Sequence, residues 1–331
     1  MEKLLHNMDK LEILIEQTND EQERDASRTQ LAKMKLQMIE LSKGNRPAFD
    51  LWPDSPLADP WVKGLVIDEV SMVDERLGTD LLSYGKKLLV LGDPFQLPPV
   101  GGGGFFTNQE PDVMLTEVHR QARESGILRL ATKVREGGVM TAADSSEDVL
   151  VMPIDGRRQD RVMERARSAD QLICGRNATR HRLNTRMREL DGLAAMSPIQ
   201  QGERLVCLRN SRDHGMLNGQ QYDVLHASQD DKLVDLLLRD SDDERGPEIS
   251  VTSWTHHFYS REHHLKAMGP RKRDFMELDF AYALTCHKAQ GSQWKSVCVI
   301  DEGSQMPDPS QAPRWRYTAI TRASEKLTVV L

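Results

Sequence analysis

Two textures succeed one another along the 331-residue chain. Over residues 8–43 charge is nearly continuous and the apolar positions fall at helical spacing: Leu11, Leu14 and Ile15, then Leu31, Met34, Met38 and Leu41. The polar run TNDEQERDAS separates the two sets, which predicts two helices paired as an antiparallel hairpin. Such a hairpin is either a solvated spacer or a partner-binding coiled coil. From Trp61 onward short apolar runs alternate with amphipathic stretches. GLVIDEV and KLLVLGD read as buried parallel strands, with DERLGTDLLSYG as a helix between them. GILRLATKVREGG predicts another helix, with Ile127, Leu130, Ala131 and Val134 on one face and Gly137 ending it. Residues 140–159 are polar and irregular and read as a linker between domains.

A second α/β block begins at QLICGRN, a strand leading into the helix ATRHRLNTRMREL. Between about residues 202 and 277 the pattern shortens to β-like runs, ERLVCLRN, QYDVLHAS, KLVDLLLRD and EISVTSW, with DSDDERGPE as a turn. This predicts a small all-β module inserted in the second block. The α/β texture resumes in LDFAYALTCHKAQG, KSVCVIDEG, the helix-like RWRYTAITRAS and the final strand KLTVVL. No internal repeat is evident.

Composition narrows the class. The chain is 38% apolar and 29% charged with a formal net charge of −7, so a wholesale basic coat for nucleic acid is absent. Any DNA contact has to come from local basic and polar tracks, which argues against an architectural binder and leaves room for an enzyme that grips a strand in a groove. The four cysteines, Cys174, Cys207, Cys286 and Cys298, show no C-x-x-C spacing, so reduced thiols are expected rather than zinc or disulfides. The N-terminus lacks the apolar core of a signal peptide and no run reaches membrane-spanning length. A soluble intracellular protein is expected, with no membrane partner.

Five segments carry candidate chemistry. In VIDEVSMVD an apolar strand delivers an Asp–Glu pair, which suits nucleotide hydrolysis: Asp68 to hold Mg2+ and Glu69 to orient and deprotonate water. Surface Asp–Glu pairs are common, so the pair alone says little. LVLGDPFQLPPV places a second strand end beside the first, where α/β sheets bind ligands, and offers Gln96 as a γ-phosphate sensor. The plainer account of Gln96 is a surface amide on a proline-stiffened loop. LTEVHRQARES contributes Arg120 and YTAITRAS contributes Arg322, each a guanidinium fork suited to phosphate or an ordinary helix-surface arginine. YALTCHKAQGSQW adds Thr285, His287, Lys288, Gln290 and Gly291, the glycine allowing close approach of backbone to a phosphate. For His287 alone a structural histidine is the simpler reading.

Taken in order, VIDEVSMVD, LVLGDPFQLPPV, LTEVHRQ, ALTCHKAQGSQW and YTAITRA resemble motifs II to VI of superfamily 1 DNA helicases, with the RecD-like and Dda-like 5′–3′ branch the most similar. The resemblance runs from Trp61 to Leu331. It implies an α/β fold of two RecA-like P-loop NTPase domains with ATP between them and a small SH3-like β insert in the second. The corresponding expectation is a helical hairpin or spacer at 1–60, an incomplete first RecA-like domain at 61–140, the second at 160–201 and 278–331, and the insert at 202–277. It further implies ATP and Mg2+ as cofactors, single-stranded DNA as partner, and a cytoplasmic protein of bacterial or phage origin. By the same resemblance Asp68 is the metal ligand, Glu69 the general base, Gln96 the coupling residue, and Arg120 and Arg322 phosphate contacts. Gln290 and Gly291 would line the nucleotide, and Thr285 and His287 the DNA backbone.

Two departures qualify this picture. Gln293 stands where the family often has a carboxylate, which removes the support for a ribose contact there. More consequentially, no G-x-x-x-x-G-K-[ST] loop precedes VIDEVSM: the glycines before Val66 are Gly44 and Gly64, neither followed by Lys-Ser or Lys-Thr. Without that loop there is no ring of backbone N–H groups for the β-phosphate and no lysine for β/γ charge. The expectation is a C-terminal helicase fragment or one half of a split enzyme, completed by a separate polypeptide carrying the P-loop, with little or no ATPase activity alone. Loss of leading strands is also expected to bare an apolar edge and face. The competing reading is a non-catalytic single-stranded DNA-binding or partner-binding module. A different P-loop enzyme, such as a kinase, is disfavoured by the second RecA-like block.

Overall fold

A computed structural model describes residues 55–99, 103–115, 125–153, 159–259, 275–306 and 308–331. The expected N-terminal hairpin and Arg120 lie outside the described residues. All but one of the described residues belong to one compact unit, 56–259 with 275–331.

The first motif-bearing segment forms a parallel pair, β1 (Gly64–Ile67) and β2 (Lys87–Val90), in register from Gly64↔Lys87 to Ile67↔Val90. Helix α1 (Glu75–Ser83) connects them. It starts where the Asp74 carboxylate accepts the Leu77 N–H at 2.9 Å and ends before Gly85, whose positive φ turns the chain back toward β2. The strands are parallel as expected, but they are not buried. Neither has a fully buried residue; Val66 is 68% exposed and Leu89 56%. The reason is geometric: a sheet of two strands has two edges and too little width to be covered on both faces.

The second sheet is built differently. Its five strands run in the order β10 (Ala283–Thr285), β4 (Gln171–Cys174), β11 (Trp294–Ile300), β12 (Ala323–Val330), β3 (Val149–Met152), and every pairing is parallel. Helices α3 (Gln159–Ser168), α4 (Asn177–Leu190) and α5 (Ala312–Ile320) accompany it, so the architecture is α/β with a doubly connected parallel sheet. β4 is buried along its whole length, which accounts for the unbroken apolar run QLIC.

Two boundaries differ from the sequence expectation. Residues 140–159 are not a plain linker, because Val149–Met152 pairs with β12 at the sheet edge. Helix α2 (Gly126–Arg135) places Ile127, Leu130, Ala131 and Val134 in the core of this second sheet, together with Val149, Val151, Leu327 and Trp315. The expected bounds of the first domain, 61–140, enclose this helix. Periodicity reveals an apolar face but not its partner, and here a carboxylate settles it: Asp148, one residue before β3, accepts the Ile127 N–H and the Ser125 hydroxyl and fixes the helix start against the strand.

Between β4–α4 and β10 the chain forms an antiparallel sheet, β8 (Ile249–Trp254), β7 (Leu233–Asp240), β6 (Gln221–Gln229), β5 (Arg204–Cys207), β9 (Leu278–Phe280). The expected β-rich insert at 202–277 therefore extends to Phe280, since β9 pairs with β5 before the chain enters β10. The insert is tied to α4 through Arg188, whose guanidinium bonds both oxygens of Glu203, at 2.7 and 3.1 Å, and the carbonyls of Ala195, Ser197 and Pro198. Arg188 also stacks over Phe280 at 4.3 Å. Cys174, Cys207, Cys286 and Cys298 are free and buried. No described helix is long and apolar enough to cross a membrane.

Candidate nucleotide and strand site

Asp68 and Glu69 stand at the C-terminal end of β1, directly beside the end of β2. Leu91 donates its N–H to the Ile67 carbonyl at 2.8 Å, and Val70 donates to Leu91 at 3.1 Å. Gly92 is required by this approach, because a Cβ there would fall 2.7 Å from Val70 Cγ1. Glu69 is the one described residue other than glycine with positive φ, at 51°. Asp68 Oδ1 accepts the Glu69 N–H at 2.9 Å and holds this left-handed turn. Such a conformation costs an L-residue about 1–2 kcal/mol. In this turn Asp68 is exposed and Glu69 partly buried. Asp68 is not part of any three-residue metal cluster among the described residues. A single exposed carboxylate suits Mg2+, which keeps most of its ligands as water and phosphate oxygens.

The loop after β2 crosses to the second sheet, and three hydrogen bonds hold it there. Tyr317 donates its hydroxyl to Asp93 Oδ2 at 2.7 Å, Leu97 donates its N–H to Thr318 Oγ1 at 2.9 Å, and Gln290 Nε2 donates to the Leu97 carbonyl at 2.9 Å. Leu97 is buried in the second core beside Ile127 and Trp315. Phe95 packs edge-on against Tyr317 and lies under the Arg135 guanidinium at 4.8 Å. Burial, then the bond to Asp93, pushes the Tyr317 hydroxyl well above the usual tyrosine range, so it stays a donor.

Arg322 follows α5 and is 7% exposed. Its Nε donates to the Thr318 carbonyl, Nη1 to the Ser292 carbonyl and Nη2 to Thr321 Oγ1, at 3.1, 3.1 and 3.2 Å. A guanidinium has five N–H groups, so two remain for a ligand. The same side chain joins the loop after β10 to α5. Gln290 lies on that loop, and Gly291, with φ of 79° and open space around it, lets the chain turn. Gln96 and Gln290 each leave a buried amide oxygen without a partner, which marks polar space needing a donor at this junction.

The structure therefore gathers Gln96, Gln290 and Arg322 around one junction, with Asp68 and Glu69 one strand-end away. Thr285 closes β10 and is buried, at the start of a 3-10 turn over Cys286–Ala289. His287 is partly buried on that turn, and burial lowers its pKa, favouring the neutral ring. Sequence reasoning passed over Tyr317 and Thr318 as ligands of the crossing loop, although both lie inside the YTAITRA segment. Their signal is local: two hydrogen-bonding side chains on the helix turn just before Arg322.

Residues 280–330 match the UvrD-like helicase C-terminal domain, and residues 52–151 match an AAA domain. The ATP-dependent RecD2 DNA helicase of Deinococcus radiodurans is 26% identical over 281 residues, 79% of this chain. The chain spans about a third of that relative's length, 35%. Among solved structures, Pif1 helicase from Candida albicans gives a TM-score of 0.47 at 18% identity, covering 81% of this chain and 71% of that one. Pif1 from Bacteroides, in complex with ADP-AlF3 and single-stranded DNA, gives 0.49 at 17%, covering 81% and 70%. Those scores leave the fold to be read from strand order and register. The five motifs in order, the two domain matches and the RecD2 relative together make this chain similar to superfamily 1 helicases of the RecD type.

Proposed function

We propose that this chain supplies the motif II to VI portion of an ATP-driven motor that moves 5′ to 3′ along single-stranded DNA. The observation that carries the reading is the crossing loop: Asp93 and Leu97, which follow the strand beside Asp68 and Glu69, are bonded to Tyr317, Thr318 and Gln290. Residues suited to metal, water and phosphate are thereby linked to the turn bearing Thr285 and His287. Bound ATP with Mg2+ would supply the transferable phosphoryl group. Asp68 would hold the metal, and Glu69 would orient water and accept its proton. Gln96 and the two remaining N–H groups of Arg322 would face the γ-phosphate, with Arg120 as a further phosphate contact. Gln290 and Gly291 would line the nucleotide, and Thr285 and His287 would bond the DNA backbone, His287 as a neutral donor.

The sequence of these 331 residues contains no G-x-x-x-x-G-K-[ST] loop. The β-phosphate cradle therefore has to come from outside them, and positioning and electrostatics supply most of phosphoryl-transfer catalysis. Steady-state ATP hydrolysis with and without single-stranded DNA tests the reading. The chain alone should show little or no DNA-stimulated turnover. Adding a P-loop-bearing helicase segment should restore it, and Asp68→Ala with Glu69→Ala should then reduce it by about 10²–10⁴-fold. Robust turnover by the chain alone would refute the external cradle. Restored turnover that survives the double substitution would refute the site. Strand binding with no turnover under any condition would favour the non-catalytic DNA-binding module.

A further inference from the structure

Strand order in the second parallel sheet reverses between β4 and β11. The next strand of this sheet after β4 is β10, on one side, whereas β11 leads through α5 to β12 on the other. Open parallel sheets take ligands in the crevice outside the carboxyl ends of such a pair. Residues 175–179, which lead from β4 into helix α4, line that crevice with donors. A carboxylate of the chain itself fills it. Gly175 and Arg176 donate their N–H groups to Glu302 Oε2 at 2.8 and 3.0 Å, and the Thr179 hydroxyl and Arg176 Nε donate to Oε1 at 2.6 and 2.8 Å.

The donors outnumber what a carboxylate satisfies. Trp315, on α5, is fully buried and its Nε1–H has no partner. Its Cε2, bonded to that nitrogen, lies 3.7 Å from where a Cβ on Gly175 would stand. A buried indole N–H nearly always finds an acceptor, so this one marks room for an oxygen beyond the two that Glu302 brings. Gly175 is required at this closeness, since the same Cβ would fall 2.9 Å from Glu302 Cβ. Arg176, the N-cap of α4, makes no side-chain bond to the helix's own N–H groups, so the helix start depends on an anion from another strand. The Arg176 side chain is 53% exposed, which opens this corner to solvent.

We propose that Gly175, Arg176, Thr179 and Trp315 form a phosphate cradle that Glu302 keeps closed, so that the second parallel sheet takes no nucleotide phosphate at its own switch point while the carboxylate is in place. Two oxygens of a phosphate group replace those of Glu302 on the backbone, hydroxyl and guanidinium donors, and a third meets the indole N–H. Glu302 is thus an internal stand-in for the ligand, an autoinhibitory contact supplied by the neighbouring strand. None of these residues takes part in the function proposed above, and the test needs neither a DNA strand nor an added P-loop segment.

The experiment melts the full 331-residue chain and its Glu302→Ala and Glu302→Gln variants in chloride, inorganic phosphate or formate at equal ionic strength, with folding checked by circular dichroism. Glu302→Ala should melt below the wild type in chloride, and phosphate should raise its melting temperature by about 2 °C or more, since the anion binds the folded chain alone. The wild type should not respond, because its cradle is filled, and neither should Glu302→Gln, whose amide still occupies the space. Adding Arg176→Ala to Glu302→Ala should remove the response. Should Glu302→Ala not fold in chloride, its refolding yield is read instead and should rise in phosphate. Equal shifts in wild type and Glu302→Ala would be a general salt effect and overturn the proposal. A response to formate without one to phosphate would leave a place for a carboxylate only and overturn it too, as would no recovery in either anion.

Discussion

β1 and β2 form a pair with no buried residue, while β10, β4, β11, β12 and β3 form a sheet in which β10 and β4 are buried throughout and β11 and β12 mainly toward their C-terminal ends. Both are parallel, and both bear candidate site residues at the C-terminal ends of their strands. The difference lies in what secures those ends. At the second sheet, packing and buried polar bonds fix Arg322, Thr318 and Gln290. At the first, Asp68 and Glu69 depend on one turn and on the hydrogen bonds between two exposed strands. The crossing loop at Asp93–Leu97 therefore does more than connect: it lends the first sheet an attachment to a core that the sheet does not have itself.

The largest expected contrast is in stability. Ile173, in the middle of β4, is fully buried, and Ile173→Ala should cost about 2–5 kcal/mol from lost transfer energy and the cavity left behind. The equivalent truncation in the first sheet, Val66→Ala, should change stability by about 0.5 kcal/mol or less, because the side chain is mostly in water already. Chemical denaturation of the two variants checks both. Equal losses would mean that the exposed face of β1 is covered in solution.

The same contrast explains what could be read in the sequence. The second sheet was legible because its strands are buried on both faces: QLIC and SVCVI are unbroken apolar runs whose length and flanking polar turns leave little choice. The insert is legible through its strand-length runs and the turn DSDDERGPE, but its end is not: LDFAYALT reads as one strand and is two, Leu278–Phe280 pairing in the antiparallel sheet and Ala283–Thr285 in the parallel one. GLVI and KLLV look like QLIC by composition, and no local pattern reports that their neighbours are few. Helix α2 shows the same limit, its apolar face legible and its partner not. In the site, residue types at motif spacing pointed to Gln96, Gln290 and Arg322, whereas the cradle at Gly175 and Arg176 depends on which carboxylate comes to meet it from the end of β11 and leaves no mark in sequence.

A middle-sized effect tests how the second sheet holds the start of α4. Glu302, after β11, accepts from the N–H groups of Gly175 and Arg176, from the Thr179 hydroxyl and from the Arg176 guanidinium. Burial raises its pKa, but the hydrogen bonds from Thr179, Arg176 and Gly175 outweigh this and hold it below the ordinary value. A depressed folded pKa contributes stability that is present above the unfolded value and is lost as pH falls through the folded one. Glu302→Gln should therefore cost about 1.5–3 kcal/mol near neutral pH, the range for hydrogen bonds to a charged group. The cost should shrink as the pH drops below the normal glutamate range, so that wild type and variant converge in acid. Urea unfolding at a series of pH values measures it, and a pH-independent difference would assign the loss to packing rather than charge.

The smallest effect concerns the first sheet and runs in the opposite direction. If the left-handed turn at Glu69 is strained, replacing the residue by glycine should relieve the strain, offset in part by the greater freedom of glycine in the unfolded chain. Glu69→Gly should then stabilise the chain by up to about 1 kcal/mol, whereas Glu69→Gln, which keeps a side chain at the same φ, should leave stability within about 0.5 kcal/mol of wild type. Both remove the carboxylate proposed to act on water, so both should lower any turnover restored by an added P-loop segment. A variant that gains stability while losing turnover is the signature of strain kept for a function. Equal stability of the two variants would instead mean that the turn is imposed by Asp68 and the Val70–Leu91 bond at no cost to Glu69, and the conformation at position 69 would then carry no argument for catalysis.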